Sequence, residues 1–201
     1  MIIEEFEQYS EEWWSARAGI PTASCFGKII TPKTMKPSAQ AEKYLYTLAG
    51  ERITGTKTDT YQSAAMERGL VVEEEARDLF QMIMDVEVKQ VGLIYPDERK
   101  LYSCSPDGLF KMGLEIKCPI ISTHVSYLLA GAIPTDYIPQ VQGSMLITGF
   151  LSWFFMSYYP GLPPLILEVK RDNKFCAALK VELESFCERL DEIEAELRRL
   201  V

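Results

Sequence analysis

The spacing of apolar residues changes period midway along this chain, and that change decides the fold class. Residues 67–84 carry Leu70, Val71, Ala76, Leu79, Phe80 and Ile83 at mostly helical intervals. Residues 86–95 are rich in β-branched side chains and stop at Pro96. Two further short strands, 100–104 and 114–118, follow across turns at Asp97-Glu98 and within 108–113, so a meander lying in one sheet is expected. Helix signals bracket this centre. Ser10 is placed to cap a helix through Trp13, Trp14 and Arg17, Thr22 to cap one over 23–30, and Ser38 precedes an amphipathic helix over 39–53 that Gly55 ends. Residues 31–38 and 55–61 read as loops. Ser122 would cap a helix through Leu129, and 137–148 form another that tolerates Pro139 in its first turn. Buried strand 151–159 and strand 165–169 follow. From Asn173 a long helix presents Phe186, Leu190, Ile193, Leu197 and Leu200 as one apolar stripe, for the core or for a partner helix. The pattern predicts a mixed α/β (α+β) fold, with residues 1–201 as a single domain.

Composition narrows the chemistry. With 201 residues, 47% of them hydrophobic, the chain can bury a full core without a disulfide or metal staple. Apolar runs such as 162–167 are far too short to span a membrane. The acidic start, Met1-Ile2-Ile3-Glu4-Glu5, lacks the features of a signal peptide, so a cytoplasmic location is expected. Cysteines 25, 104, 118, 176 and 187 form no CxxC pair and read as scattered reduced thiols. Their dispersal also excludes an iron–sulfur cluster. The single histidine, His124, rules out a histidine-rich metal site and is read as a surface helix residue without a role. Any metal would need carboxylate ligands, which points to a hard cation such as Mg²⁺ or Mn²⁺. Gly27-Lys28 lacks the flanking glycines of a nucleotide-binding loop.

The net charge of −8 argues against a nucleic-acid partner for the chain as a whole. Its distribution does not. Residues 13–66 hold seven basic side chains (Arg17, Lys28, Lys33, Lys36, Lys43, Arg52 and Lys57) against three acidic ones, whereas the last twenty residues hold seven acids against three arginines. A local polyanion site can coexist with an acidic end.

The chemistry concentrates in Ser105-Pro106-Asp107-Gly108-Leu109 and Leu114-Glu115-Ile116-Lys117-Cys118-Pro119. In a strand, Glu115 and Lys117 share one face and Leu114, Ile116 and Cys118 the other. If the chain returns antiparallel through residues 109–113, Asp107 comes to lie beside Glu115. Two carboxylates and an ammonium then converge. A divalent cation relieves the repulsion between such acids, polarises a phosphate and lowers the pKa of a water, while a lysine stabilises the charge that develops. A Glu-x-Lys pair alone is a common solvated strand face. The order Pro-Asp, a short interval, then apolar-flanked Glu-x-Lys favours hydrolysis of a phosphodiester.

These segments resemble the PD-(D/E)xK nuclease signature, and within that superfamily the lambda exonuclease-like, YqaJ-type viral recombinases. Trp13-x3-Arg17-x-Gly19-Ile20-x-Thr22-Ala23-Ser24, Gly69-x3-Glu73-x2-Ala76-Arg77-x-Leu79-Phe80 and Gln140-Val141-Gln142-x-Ser144-Met145 agree in the same order over residues 12–195. The resemblance implies a restriction-endonuclease-like core, a central mixed β-sheet flanked by helices. It implies that Asp107, Glu115, Glu73 and the carbonyl of Ile116 bind Mg²⁺ (Mn²⁺ as substitute), that Lys117 is the catalytic lysine, and that Gln140 lies beside the metal. Arg17, Ser24 and Ser105 match residues that bind the 5′-phosphate of a DNA end. The family degrades one strand of linear duplex 5′ to 3′, leaves 3′ overhangs for recombination, forms homotrimeric rings around DNA and works with a single-strand annealing protein. The family's acidic helix reads Glu-Asn-Asp where this chain has Glu73-Glu74-Glu75; spacing selects Glu73. The readings set against a 5′→3′ exonuclease are an endonuclease or repair nuclease on the same core and an inactive DNA-end-binding module. The intact Asp107, Glu115 and Lys117 argue against the last. Trp13 is read as core rather than as a base-stacking residue.

Overall fold

The computed structural model describes residues 1–58 and 64–200, with 64–70 as backbone alone. In chain order the elements are β1 (Ile2–Glu4), α1 (Glu11–Arg17), a 3₁₀ helix (Ala23–Lys28), α2 (Ala41–Thr54), α3 (Ala64–Met84), β2 (Leu93–Tyr95), β3 (Gly108–Leu109) and β4 (Gly113–Lys117). There follow α4 (Ile121–Ala130), a 3₁₀ turn (Thr135–Tyr137), α5 (Ile138–Thr148), β5 (Ser152–Ser157), β6 (Leu165–Lys170) and α6 (Asn173–Leu200). The main sheet has the order β3-β4-β5-β6. Its central pair, β4 and β5, is parallel, and both outer pairs are antiparallel. Parallel neighbours cannot be joined by a hairpin, and here α4 and α5 supply the crossover. This is the mixed sheet flanked by helices that the resemblance implies, within the mixed α/β class that the sequence pattern predicts.

Strand β5 sorts the molecule into layers. All six of its residues are buried, and alternation sends them to opposite faces. Trp153 and Phe155 enter the core shared with Tyr44, Leu45 and Leu48 of α2, Val141 and Met145 of α5, and Leu179, Leu183, Phe186 and Leu190 of α6. Phe154 and Met156 face Ala76 and Phe80 of α3, together with Leu114 and Ile116 of β4. Each such side chain contributes about 1.5–3 kcal/mol by leaving water. The apolar stripe of α6 therefore serves the core as far as Leu197, while Leu200 is exposed.

Several expected elements are redistributed. The meander does not form one sheet. Leu93–Tyr95 pairs instead with the N-terminal strand Ile2–Glu4, which carries no strand signal of its own. Residues 100–104 form no strand: Ser103 and Cys104 make only isolated bridges, to Thr22 and Ile94. The 108–113 turn contains β3. The expected 23–30 helix is a 3₁₀ helix ending at Lys28; Thr22 makes no cap bond, and its hydroxyl instead accepts from Arg17. Ser38 bonds the Gln40 N–H, which delays α2 to Ala41. Helix α4 begins at Ile121, before Ser122 can cap it. His124 is fully buried rather than on the surface: Ser157 Oγ lies 2.8 Å from Nδ1 and the Pro163 carbonyl 3.0 Å from Nε2. Ser10 caps α1 as expected, accepting from Trp13 N. All five cysteines are free. Residues 59–61 of the expected loop and the side chain of Leu70 lie outside the described residues. Among the described residues, no helix is long and apolar enough to cross a membrane.

A clamp after α1 fixes the turn that leads into the 3₁₀ helix. Gly19 has φ +70°. Its N–H donates to Glu51 Oε2 (2.9 Å), and its carbonyl accepts from Arg52 Nε (2.8 Å). Arg52 also pairs with Asp191 and Glu194 of α6, so this member of the basic segment is tied to the acidic end rather than free for a polyanion. A Cβ on Gly19 would stand 2.4 Å from Arg52 Cγ. Gly19→Ala is therefore expected to destabilise the protein by about 1–2 kcal/mol, the cost of a left-handed alanine, or more if Arg52 is displaced. Denaturant titration measures it, and an unchanged midpoint would contradict the clamp.

Candidate active site

The short β3–β4 hairpin brings the acids together. Gly108 pairs with Leu114, and Asp107 N–H donates to the Leu114 carbonyl (3.1 Å), so Asp107 lies beside β4. Its Oδ2 accepts from Ile116 N–H at 2.6 Å. A residue's N–H and C=O leave an extended strand on the same edge, so the Ile116 carbonyl faces this edge as well. Leu114 and Ile116 point into the α3 layer. That turns Glu115 and Lys117 to the opposite face, where α5 begins. Glu115 is 1% exposed, and its Oε1 accepts from both Lys117 Nζ and Gln140 Nε2, each at 2.5 Å.

Glu73 comes from α3. Arg77, one turn later and buried, donates to Glu73 Oε1 (2.7 Å) and to the Asp107 carbonyl (2.9 Å), joining helix to hairpin. Of the acidic triplet, Glu74 is exposed and Glu75 accepts from Tyr158 Oη, which leaves Glu73 as the member that feels the charge of Asp107. The motif assigns Arg77 no role, although its i,i+4 spacing from Glu73 is a visible signal. Gln8, which donates to the carbonyls of Val91 and Pro106, likewise carries no local signature.

The electrostatics are those of crowded buried acids. Burial and the charge of Asp107 push Glu73 up to about 7, against the pull of Arg77. Burial, then the charge of Asp107, push Glu115 up to about 8, against the pull of Lys117. Burial raises Asp107, while Lys117 and the Ile116 N–H oppose it. Burial alone would lower the Lys117 pKa, but the charges of Glu115 and Asp107 reverse this and hold the ammonium protonated. Taking a carboxylate out of water costs several kcal/mol, so the fold does not gain from gathering these groups. Among the described residues no three acidic, histidine or cysteine side chains form a ready ligand cage. The donor set itself, oxygen only and mutually repelling, fits a hard divalent cation: Asp107, Glu115, Glu73 and the Ile116 carbonyl can hold one.

Asp107, Glu115, Lys117 and Gln140 open into one cleft of about 850 Å³ whose other lining residues include Arg17, Ser24, Lys28, Lys43, Lys57 and Ser105. The Arg17 guanidinium carbon lies 4.1 Å from the centroid of the Trp13 ring. Its Nη2 approaches Thr22 Oγ1 (3.4 Å) and Ser24 Oγ (3.5 Å), while its buried Nε has no partner among the described residues. Burial lowers its pKa, and no carboxylate pairs with it among the described residues. Ser105 lines the cleft but donates to the Gly92 carbonyl (2.6 Å) and accepts from Trp13 Nε1 (3.2 Å), which fixes the indole beneath Arg17. Trp13 is 4% exposed. The structure thus brings Asp107, Glu115, Lys117, Gln140, Arg17, Ser24 and Ser105 to one cleft, while Glu73 is joined to Asp107 through Arg77 and Ile116 bonds Asp107 from behind. It adds Tyr9, at φ +70° and 5.1 Å from the Trp13 ring, which no sequence signal marks.

A mixed sheet carrying Pro-Asp and Glu-x-Lys on adjacent strands, backed by a glutamate helix, is a PD-(D/E)xK fold. The chain belongs to the YqaJ-like viral recombinase domain family, whose model matches residues 12–151. It is similar to the alkaline exonuclease LHK-Exo of Laribacter hongkongensis, at 32% identity over 94% of this chain and 97% of that one, TM-score 0.85; the structure of that enzyme in complex with dAMP matches equally. A phage-related exonuclease from Haemophilus somnus 129PT shares the fold at 16% identity, TM-score 0.70, over 89% of this chain and 96% of that one. An uncharacterised Escherichia coli (strain K12) protein, ExoD, is 35% identical over 71 residues, 33% of this chain and 79% of that one.

Proposed function

We propose that the chain is one nuclease domain acting as a divalent-metal-dependent 5′→3′ exonuclease on linear double-stranded DNA, leaving 3′ single strands for recombination by annealing. One observation carries the reading: buried Glu115, half-buried Asp107 and a lysine share their cleft with a half-buried arginine that lacks an acidic partner among the described residues. Family membership and the similarity to an exonuclease crystallised with dAMP, a deoxynucleoside monophosphate, support it.

Asp107, Glu115, Glu73 and the Ile116 carbonyl would hold Mg²⁺ or Mn²⁺. When bound, such a cation supplies a Lewis acid for the phosphoryl oxygen and lowers the pKa of a water. Gln140 and Lys117 fix one oxygen of Glu115, so its carboxylate cannot rotate away. The protonated Lys117 offers positive charge to the phosphoryl oxygens as negative charge builds there. Water adds to phosphorus as the P–O3′ bond breaks, and O3′ takes a proton from solvent. The 5′-phosphate stays on the shortened strand, where Arg17 and Ser24 can receive it again. Ser105 takes part through Trp13. The reading includes a homotrimeric ring around the duplex and a single-strand annealing partner, both from family membership. Lys28, Lys43 and Lys57 line the cleft that DNA would enter.

Duplex labelled at either the 5′ or the 3′ end tests the polarity. With Mg²⁺, the 5′ label is expected to leave first as a mononucleotide, and EDTA is expected to stop release. Earlier loss of the 3′ label, or undiminished release in EDTA, would refute the reading.

A further inference from the structure

Lys57 belongs to no motif of the family resemblance, yet it stands beside the arginine that the phosphate reading depends on. Its ammonium lies 4.1 Å from the Trp14 ring centroid and 5.9 Å from that of Trp13, whose ring also carries Arg17. The two indoles meet edge to face, with centroids 4.5 Å apart. The placement is built. Glu51 is 5% exposed, and its two oxygens accept from Gly19 N–H, just after the helix of Arg17, and from Thr58 N–H, just after Lys57, both at 2.9 Å. Glu51 therefore ties the two segments together, and its oxygens are engaged by backbone rather than by either cation. Among the described residues, no carboxylate lies within ion-pair distance of Lys57 or Arg17. Burial, then the charge of Arg17, push the Lys57 ammonium down to about 8.

Two half-buried cations lining one cleft, with a guanidinium Nε that has no hydrogen-bond partner among the described residues, suit an anion of charge two. A terminal phosphomonoester carries about −1.5 to −2 at neutral pH, whereas an internal phosphodiester carries a single charge. We infer that Lys57 is the second cation of the 5′-phosphate pocket, and that with Arg17 it makes the enzyme select a dianionic terminal monoester over a diester. This rests on the 5′-end reading above and adds to it a residue that determines specificity.

The test uses three linear duplexes differing only at the 5′ end: phosphate, the monomethyl ester of that phosphate, and hydroxyl. Wild type, K57Q, K57R and R17A are assayed with Mg²⁺ for kcat and KM. Wild type is expected to prefer phosphate to methyl ester. K57Q should shrink that preference about tenfold or more, chiefly through KM, the order expected from losing one hydrogen bond to a charged group. K57R should restore it. Lys57 is half-buried and outside the core, and a general folding defect would lower all three substrates alike. A wild-type phosphate-to-ester ratio in K57Q, with R17A impaired, overturns the role of Lys57 alone. Equal rates on all three ends in wild type overturn the pocket itself, and the inference with it.

Discussion

Asp107→Asn and Glu115→Gln proteins are expected to fold and to release no nucleotide above background. Both substitutions keep the shape of the side chain, and in Asp107→Asn the new amide oxygen can still accept from Ile116 N–H, as Oδ2 does now. They remove the charge for which a hard cation would compete. Because burying an ionised carboxylate is costly, their thermal midpoints should equal or exceed that of wild type in metal-free buffer. Lys117→Ala should lower kcat by at least about 10²-fold, the scale seen when one donor to a developing charge is removed. Initial rates on linear duplex, paired with thermal unfolding, check all three. Wild-type rates from a folded Asp107→Asn protein would remove the site assignment.

Arg17→Ala should reduce the ratio of rates on 5′-phosphorylated and 5′-hydroxyl ends by at least about tenfold, while the Mg²⁺ concentration for half-maximal rate stays unchanged. Hydrogen bonds to charged groups are worth about 1.5–3 kcal/mol, and Arg17 offers a planar fork whose Nε has no partner among the described residues. The acids proposed to bind metal contact Lys117, Gln140 and Arg77, not Arg17. Initial rates across a Mg²⁺ titration separate the effects. An unchanged ratio, or a shifted Mg²⁺ requirement, would contradict the division of the cleft into a phosphate end and a metal end.

What could be read from the residues was what local pattern dictates. The strand period across Leu114, Ile116 and Cys118 places Glu115 and Lys117 on one face, and the short return brings Asp107 beside them. The stripe of α6 and the buried run of β5 are equally legible. Long-range competition is not. Ile2–Glu4 captures the edge of Leu93–Tyr95, and three residues of strand have no periodicity of their own to declare it. His124 is buried because the Pro163 carbonyl and Ser157, more than thirty residues away, meet its ring. Arg77, Glu51 and Lys57 act across elements, so only the assembled chain gives them meaning. Ser105 matches a phosphate-binding position, but its proton goes to Gly92.

The most direct measurement incubates covalently closed circular duplex and the same duplex linearised with 5′-phosphate ends, each with Mg²⁺ and with EDTA. A metal-dependent enzyme working from a bound 5′-phosphate should convert only the linear DNA to mononucleotides and a residual single strand, only with Mg²⁺, and leave the circle closed. Cutting of the circle, or digestion of the linear form in EDTA, would contradict the account.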